Sequence, residues 1–278
     1  MSSSDAIQSV SNFLLDAPPG ELQDVISDVK ALIGDDASVV AELNPALEKY
    51  NKAQLISTLL PGGDRLVIVS DYNDLGGGRF YDVESKSSFA FDHVSQKAFD
   101  VQSYILESKN AELITSLLKS LGPHVSEHYP SLPAYGVYPS SEDTTIALVI
   151  TGNKYSPANY WNGRWRSIYT FDPASNALSG EIKVDVHYYE DGNVRLLTTH
   201  AIEEEISSGN AADVVRTIAR KEKEYQENLN DAFVQLSEGA FKSLRRQLPI
   251  TRQKIDWDKI GSYRLGQQVG LFPTHEHS

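Results

Sequence analysis

From residue 211 to residue 248, Val214, Val215, Ile218, Tyr225, Leu229, Phe233, Leu236, Ala240 and Leu244 recur at intervals of three and four, and Pro249 follows. That spacing predicts one apolar stripe along a single helix. A proline has no amide hydrogen and clashes with the preceding turn, so it ends the run. At 1.5 Å per residue such a helix spans roughly 55 Å. It follows a strongly β region in which TIALVI (145–150), RWRSIYTF (164–171), EIKVDVHYY (181–189) and NVRLLTTHAI (193–202) read as strands. In the third, Ile182, Val184, Val186 and Tyr188 fall on one face, and Lys183, Asp185, His187 and Tyr189 on the other. Asp191-Gly192 between alternating runs signals a hairpin. The expectation is a four-stranded antiparallel meander with one apolar and one more polar face. Four strands about 4.8 Å apart cover ~19 Å, and an eight-residue strand reaches ~27 Å. The helix outruns the sheet either way. Its stripe is covered by a partner that continues the sheet and lays a second long helix alongside, or by the N-terminal helices.

Upstream, residues 5–60 read as two or three short helices, with Val25, Ile26, Val29, Leu32 and Ile33 on one face and Pro18-Pro19-Gly20 starting one of them. Gly34, Asn44-Pro45 and Pro61-Gly62-Gly63 punctuate this region. RLVIVSDY (65–72) is a short β run, and RFYDV and SFAFD within 79–92 form a hairpin pair. Residues 98–121 return to a helical pattern that ends near Gly122-Pro123. The fold class is α+β. The segments are an N-terminal helical stalk (1–61), small hairpins with a connecting helix (62–133), an antiparallel sheet (134–205), one long helix (206–248) and a C-terminal arm (249–278).

With 278 residues the chain can bury a sizeable core. It has no cysteine, which excludes disulfides, thiol catalysis and cysteine–zinc sites and fits a reducing compartment. The start, MSSSDAIQSVSNFLLD, lacks the basic and apolar regions of a signal peptide. No window approaches 18 apolar residues, so no membrane span is expected. A net charge of −13 argues against nucleic acid as a partner. The charge is uneven, however. Lys242, Arg245, Arg246, Arg252, Lys254, Lys259 and Arg264, against Asp256 and Asp258, give the segment 242–264 a net +5, leaving −18 on the rest. Such asymmetry marks either an arm for an acidic partner or a basic segment folded back on its own acidic body.

Catalytic patterns are sparse. LGGGRF (75–80) lacks the spacing and the lysine of a phosphate loop and reads as a hairpin turn. His187, beside Asp185 and near Ser167, lacks the strained nucleophile turn that a Ser/His/Asp site needs. His275 and His277 flank Glu276 in a tail with little to support a metal. The acidic run 203–205 reads as a polar loop or helix entry. NYWNGRWRS (159–167) reads as a hairpin around Asn162-Gly163 with cross-strand aromatic packing. No catalytic residue, metal site or cofactor is expected, and the chain is not read as an enzyme.

The arm is more informative. After Pro249, Trp257, Ile260 and Tyr263 are three residues apart and share an arc of about 120° on a helix, bordered by basic residues. An amphipathic segment of this kind enters a partner's groove, lies on an anionic membrane, or docks on its own sheet.

FKSLRRQLPITRQKIDWDKIGSYRLG (241–266) resembles the C-terminal region of the α subunits of the F-actin capping protein family. NYWNGRWRS (159–167), VHYYEDGNVRL (186–196), DLGGGRFYD (74–82), FAFDHV (89–94) and LLDAPPGEL (14–22) are similar to the family in the same order. The resemblance weakens over 95–131, and residues 267–278 run past the family's usual end. It implies an obligate heterodimer with a β subunit of similar fold, a shared antiparallel sheet, and one long helix from each subunit above it. It also implies capping of actin filament barbed ends without catalysis, with the arm as main actin contact. The implied actin-binding residues are Lys242, Arg245, Arg246, Arg252, Lys254, Trp257, Ile260 and Tyr263. Lys242 and Arg246 are also implied in inhibition by phosphatidylinositol bisphosphate, and capping-protein regulators are implied to grip the stalk. The implied location is the cytoplasm and the cortical actin cytoskeleton. The alternative reading is a phosphoinositide-responsive membrane–cytoskeleton adaptor whose basic arm is mainly a lipid ligand.

Overall fold

The computed structural model describes residues 3–33, 42–129, 131, 133–140, 142–190 and 193–235. Among the described residues, three helices come first: α1 (Ser3–Leu15), α2 (Leu22–Ile33) and α3 (Asn44–Ala53). Ile26 and Val29 of α2 are buried and Val25 packs at the edge of the same cluster, while Leu32 is exposed. The Pro18-Pro19-Gly20 turn precedes α2, and Gly20 takes φ +79, a conformation that suits a residue without Cβ. The helical reading of 5–60 stops short of its end. Ser57–Leu59 forms strand β1, paired antiparallel with β2 (Leu66–Ile68).

A small antiparallel sheet follows in the order β3 (Asp74–Gly76), β4 (Arg79–Asp82), β5 (Ser87–Asp92), β6 (Lys97–Ser103). The expected β4–β5 hairpin is present. The expected helix over 98–121 is not. Its first part is β6, laddered onto β5, and α4 runs from Ala111 to His128, straight through Gly122-Pro123. Burial of Ile114, Leu117, Leu118, Leu121 and Val125 on one face holds this helix together. Pro123 lies on the exposed face, where water reaches a carbonyl left without an amide partner. Tertiary packing here outweighs a local stop signal.

The main sheet has five antiparallel strands in the order β11–β10–β9–β8–β7, one more than the expected meander. They are β7 (Pro133–Pro139), β8 (Ile146–Ser156), β9 (Trp161–Asp172), β10 (Ala177–Tyr188) and β11 (Val194–Glu205). The missed strand, β7, contains two prolines and a glycine and sits at the sheet edge, where a missing donor is tolerated. β9, β10 and β11 are 12 residues long, about 40 Å. The sheet is therefore longer than the eight-residue strands expected, and the length mismatch with the helix shrinks accordingly. The helix α5 is described from Ala211 to Gln235; residues 236–248 of the expected long helix lie outside the described residues.

Strand alternation divides the main sheet into two unlike faces. Register places Trp165, Ser167, Tyr169 and Phe171 of β9 beside Val184, Ile182, Gly180 and Leu178 of β10. This face receives α4 and the start of α5, whose Val214, Val215, Ile218 and Tyr225 are buried. At Gly180 an added Cβ would lie 2.4 Å from the Tyr169 ring, so the glycine makes room for a cross-strand aromatic. The opposite face carries Arg164, Arg166, Asp185 and His187, all buried. The more polar face is thus covered, and hydrogen bonds to α1–α3 and their connections show what covers it. Apolar clusters among the described residues add to the core. One joins α1–α3 to Phe80, Phe89 and Phe91 of the small sheet, and another joins Ile68 and Tyr81 to Tyr138 and Val149 of the main sheet.

Candidate functional site

All eight residues expected to bind actin, Lys242, Arg245, Arg246, Arg252, Lys254, Trp257, Ile260 and Tyr263, lie outside the described residues. So do His275, Glu276 and His277. What the structure does describe is the chain that leads toward the arm, together with the polar constellations of the body.

The start of α5 is pinned to the main sheet by polar contacts inside its apolar face. Tyr225 stacks on His200, with ring centroids 4.6 Å apart and planes 7° from parallel, and shares a 3.0 Å hydrogen bond with Thr198. Glu222, one turn earlier, is 2% exposed. Its Oε1 accepts from the Tyr169 hydroxyl at 2.7 Å and from Ser167 at 3.1 Å, and its Oε2 accepts from His124 Nε2 at 2.9 Å. Burial, with Glu222 close by, holds the Tyr169 phenol well above its ordinary pKa, so it donates. Three elements, α4, β9 and α5, meet on one carboxylate. A buried carboxylate needs this many donors to offset its lost hydration.

The other face holds a second network. Glu21 Oε1 accepts from His187 Nδ1 at 2.7 Å and from Asn162 Nδ2 at 3.0 Å. Arg195 pairs with Asp185 through both carboxylate oxygens and also donates to the Asp16 carbonyl at 2.5 Å. Arg166 donates to the Ala53 carbonyl at 2.5 Å. Arg164 donates to Asn153, Gln54 and Tyr155. These bonds tie the N-terminal helices to β9, β10 and β11 by polar contacts whose donors and acceptors must match. The contacts made by Asp16, Glu21, Ala53 and Gln54 each cross more than 100 residues, so no local spacing in the sequence announces them.

Among the described residues, the Ser167, His187 and Asp185 candidates do not assemble a nucleophile. Ser167 lies on the α5 side of the sheet, whereas His187 and Asp185 lie on the side of the N-terminal helices, so the three do not converge. On the α5 side, Ser167 and His124 each contact Glu222, which leaves no described serine–histidine hydrogen bond. The glycine-rich segment is a turn between β3 and β4, with Gly76, Gly77 and Gly78 all at positive φ. The NYWNGRWRS segment corrects its expectation. The hairpin turns at Pro157–Tyr160, where Tyr160 takes φ +55, and Asn162-Gly163 already belong to β9. Trp165 packs edge-on against Tyr129 and near Tyr225, so the expected aromatic packing comes from the residue that caps α4 and from α5 rather than from a neighbouring strand. Glu203, Glu204 and Glu205 end β11 rather than forming a loop.

A sequence profile of the F-actin capping protein alpha subunit family matches residues 10–268. That range includes both the segment 95–131 and the basic arm. An F-actin-capping protein subunit alpha of Gibberella zeae is 59% identical over 265 residues, covering 95% of this chain and 97% of that protein. One from Neurospora crassa is 56% identical, covering 94% and 95%, and one from Candida glabrata is 37% identical, covering 94% and 95%. The solved homodimeric actin capping protein alpha subunit from Plasmodium berghei superposes with a TM-score of 0.73 at 21% identity, covering 90% of this chain and 99% of that one, a likeness of fold. With the profile running almost from end to end, this chain belongs to the F-actin capping protein alpha subunit family.

Proposed function

We propose that this chain is the alpha half of a heterodimer with a beta subunit that binds the barbed end of actin filaments and blocks gain and loss of subunits there, without bond chemistry. The observation that carries this reading is the unbroken family match across residues 10–268, through the basic arm. In this reading the segments 1–61, 62–133, 134–205, 206–248 and 249–278 divide the labour as stalk, connector, sheet, long helix and arm.

The dimer contact falls on β11. Its outer edge pairs with no strand among the described residues, and Val194 and Leu197 stand 64% and 63% exposed on it. A 12-residue open edge with exposed apolar side chains is a liability that a partner strand removes. A second copy of this chain on the same edge is the competing reading, motivated by the homodimeric Plasmodium berghei alpha subunit. Native mass of the co-expressed and singly expressed chains separates the two.

The arm supplies the actin contact. Lys242, Arg245, Arg246, Arg252 and Lys254 steer it to acidic filament surfaces, and Trp257, Ile260 and Tyr263 slow its departure. Lys242 and Arg246 are the residues on which a phosphoinositide competes. Regulators that grip the stalk act from the other end of the chain. The protein works in the cytoplasm, at cortical actin. The test is elongation of pyrene-labelled actin from filament seeds, with the complex full-length or cut after Leu248. Capping by the full-length complex and strong loss in the cut one is expected. Equal capping by both moves the site to the sheet or the partner, and capping by neither sinks the reading.

A further inference from the structure

The charges buried under the N-terminal helices do not balance. Arg164 is 3% exposed and Arg166 is 9% exposed, and no described carboxylate oxygen lies within ion-pair distance of either guanidinium. Asp185 stands directly across from Arg164 in the β9–β10 register, yet its two oxygens hold Arg195. Arg164 makes do with neutral partners: Nε donates to Asn153 Oδ1 at 2.7 Å, Nη1 to Gln54 Oε1 at 3.1 Å and Nη2 to the Tyr155 hydroxyl at 2.7 Å. With the Tyr50 hydroxyl as a further acceptor, these contacts still leave one of the five guanidinium hydrogens unassigned. Tyr50 does not supply a negative charge, since burial raises its pKa. Arg166 feels the imbalance: burial first, then the neighbouring Arg164 charge, push it down to about 10. A buried cation without an ionic partner is costly, and it stands out in a chain of net charge −13.

The same guanidinium lines a cavity of about 240 Å³. Its wall is mixed. Asn153, Gln23 and Tyr155 bring polar groups, and Leu22, Ile56 and Leu66 bring apolar surface. The volume falls below the roughly 300 Å³ at which drug-sized pockets begin, so it suits a small molecule. The remaining guanidinium hydrogen can donate a charge-assisted bond to an oxygen of a carboxylate or of a phosphate.

We infer that this cavity, between the N-terminal helices and the main sheet, binds a small carboxylate or phosphate anion whose charge completes Arg164. Its occupancy fastens α2 and α3 to β8 and β9. It needs no part of the actin-binding reading.

The test is thermal unfolding of the full-length chain, in the complex in which it is purified, titrated with sodium phosphate or sodium acetate. Sodium chloride at matched ionic strength is the control. A rise in Tm of about 3 °C or more over chloride is expected for at least one anion, and the larger rise names the head group. Two variants fix the location. Arg164→Gln removes the cation, and Gln23→Trp fills the mouth while leaving Arg164 in place. Both are expected to lose the anion-dependent rise. If Arg164→Gln fails to fold, Gln23→Trp decides alone. No rise over chloride in the unmodified protein overturns the site. An undiminished rise in Gln23→Trp also overturns it, since the anion then binds elsewhere.

Discussion

Arg195 on β11 reaches Asp185 on β10 and donates to both carboxylate oxygens, at 2.9 Å from Nε and 2.8 Å from Nη2. Asp185 is fully buried, while the Arg195 side chain is 24% exposed. The pair links two strands of the main sheet, and Arg195 continues to the Asp16 carbonyl at the end of α1. The sheet face that looks polar in sequence is thus an internal seam.

Arg195→Ala is expected to cost about 3–5 kcal/mol, because it leaves the fully buried Asp185 carboxylate with no counter-charge. Asp185→Ala should cost less, about 2–3 kcal/mol, since water reaches the Arg195 side chain that it leaves behind. Urea unfolding of the complex measures both. A loss below about 1 kcal/mol for Asp185→Ala would show that the seam is not held by this pair.

Glu222 gathers α4, β9 and α5 on one carboxylate. Glu222→Ala strands the donors of Tyr169, Ser167 and His124 and is expected to cost roughly 2–4 kcal/mol. Glu222→Gln keeps an acceptor for Tyr169 and Ser167 and should cost about half as much. Equal losses for the two substitutions would mean that side-chain volume, not hydrogen bonding, sets the penalty.

His93 carries a pH dependence whose sign follows from its contacts. Burial pushes its pKa down, with Glu48 opposing and Lys52 reinforcing. Asn51 Nδ2 donates to His93 Nδ1 at 3.2 Å, so Nδ1 must accept and stay unprotonated. A histidine with a folded pKa below its unfolded value gives full stability above about pH 7 and loses it as pH falls toward the folded value. His93→Phe keeps the edge-on contacts with Phe80 and Phe91 but cannot titrate. Stability measured between pH 7 and pH 5 should fall more gently in the variant. Parallel profiles would assign the acid loss to other groups.

Gly180→Ala places a Cβ 2.4 Å from Tyr169 Cδ1 and 2.9 Å from the Ile168 carbonyl oxygen. The Tyr169 ring has nowhere to go while its hydroxyl is held by Glu222. The expected cost is about 1–3 kcal/mol. Tyr169→Val in the same chain should recover part of that cost, and strictly additive losses in the double variant would rule out the clash.

Arg246→Glu reverses one charge of the arm. On the proposed function its expected effect is weaker capping, mostly through slower association at low salt, with the proposed complex intact by gel filtration. Dissociation of the complex would place Arg246 in an interface instead.

Much of the architecture was readable from residue patterns. The alternation at 181–189 predicted β10 and its two faces, and the spacing from Val214 to Tyr225 predicted the buried stripe of α5. The β4–β5 hairpin followed from its aromatic runs. Reading failed where tertiary packing overruled a local signal. Pro123 did not end α4, because five buried residues on one face hold the helix across it. β7 and β6 were missed because a proline-containing edge strand and a polar edge strand acquire their identity from the ladder beside them.

What the sequence determined by itself were the properties that reside in neighbours along the chain: the periods of the strands and of α5, the basic arm, and the ordered motifs that place the chain in its family. What only the tertiary structure decided were the partners of charges. Arg164 and Asp185 sit opposite one another, yet Arg195 takes the carboxylate; Glu222 meets His124 from 98 residues away. The physical reason is that hydrogen bonds and ion pairs depend on distances of a few ångströms. Across separations of many residues those distances are set by the packing of whole elements, which no local spacing encodes.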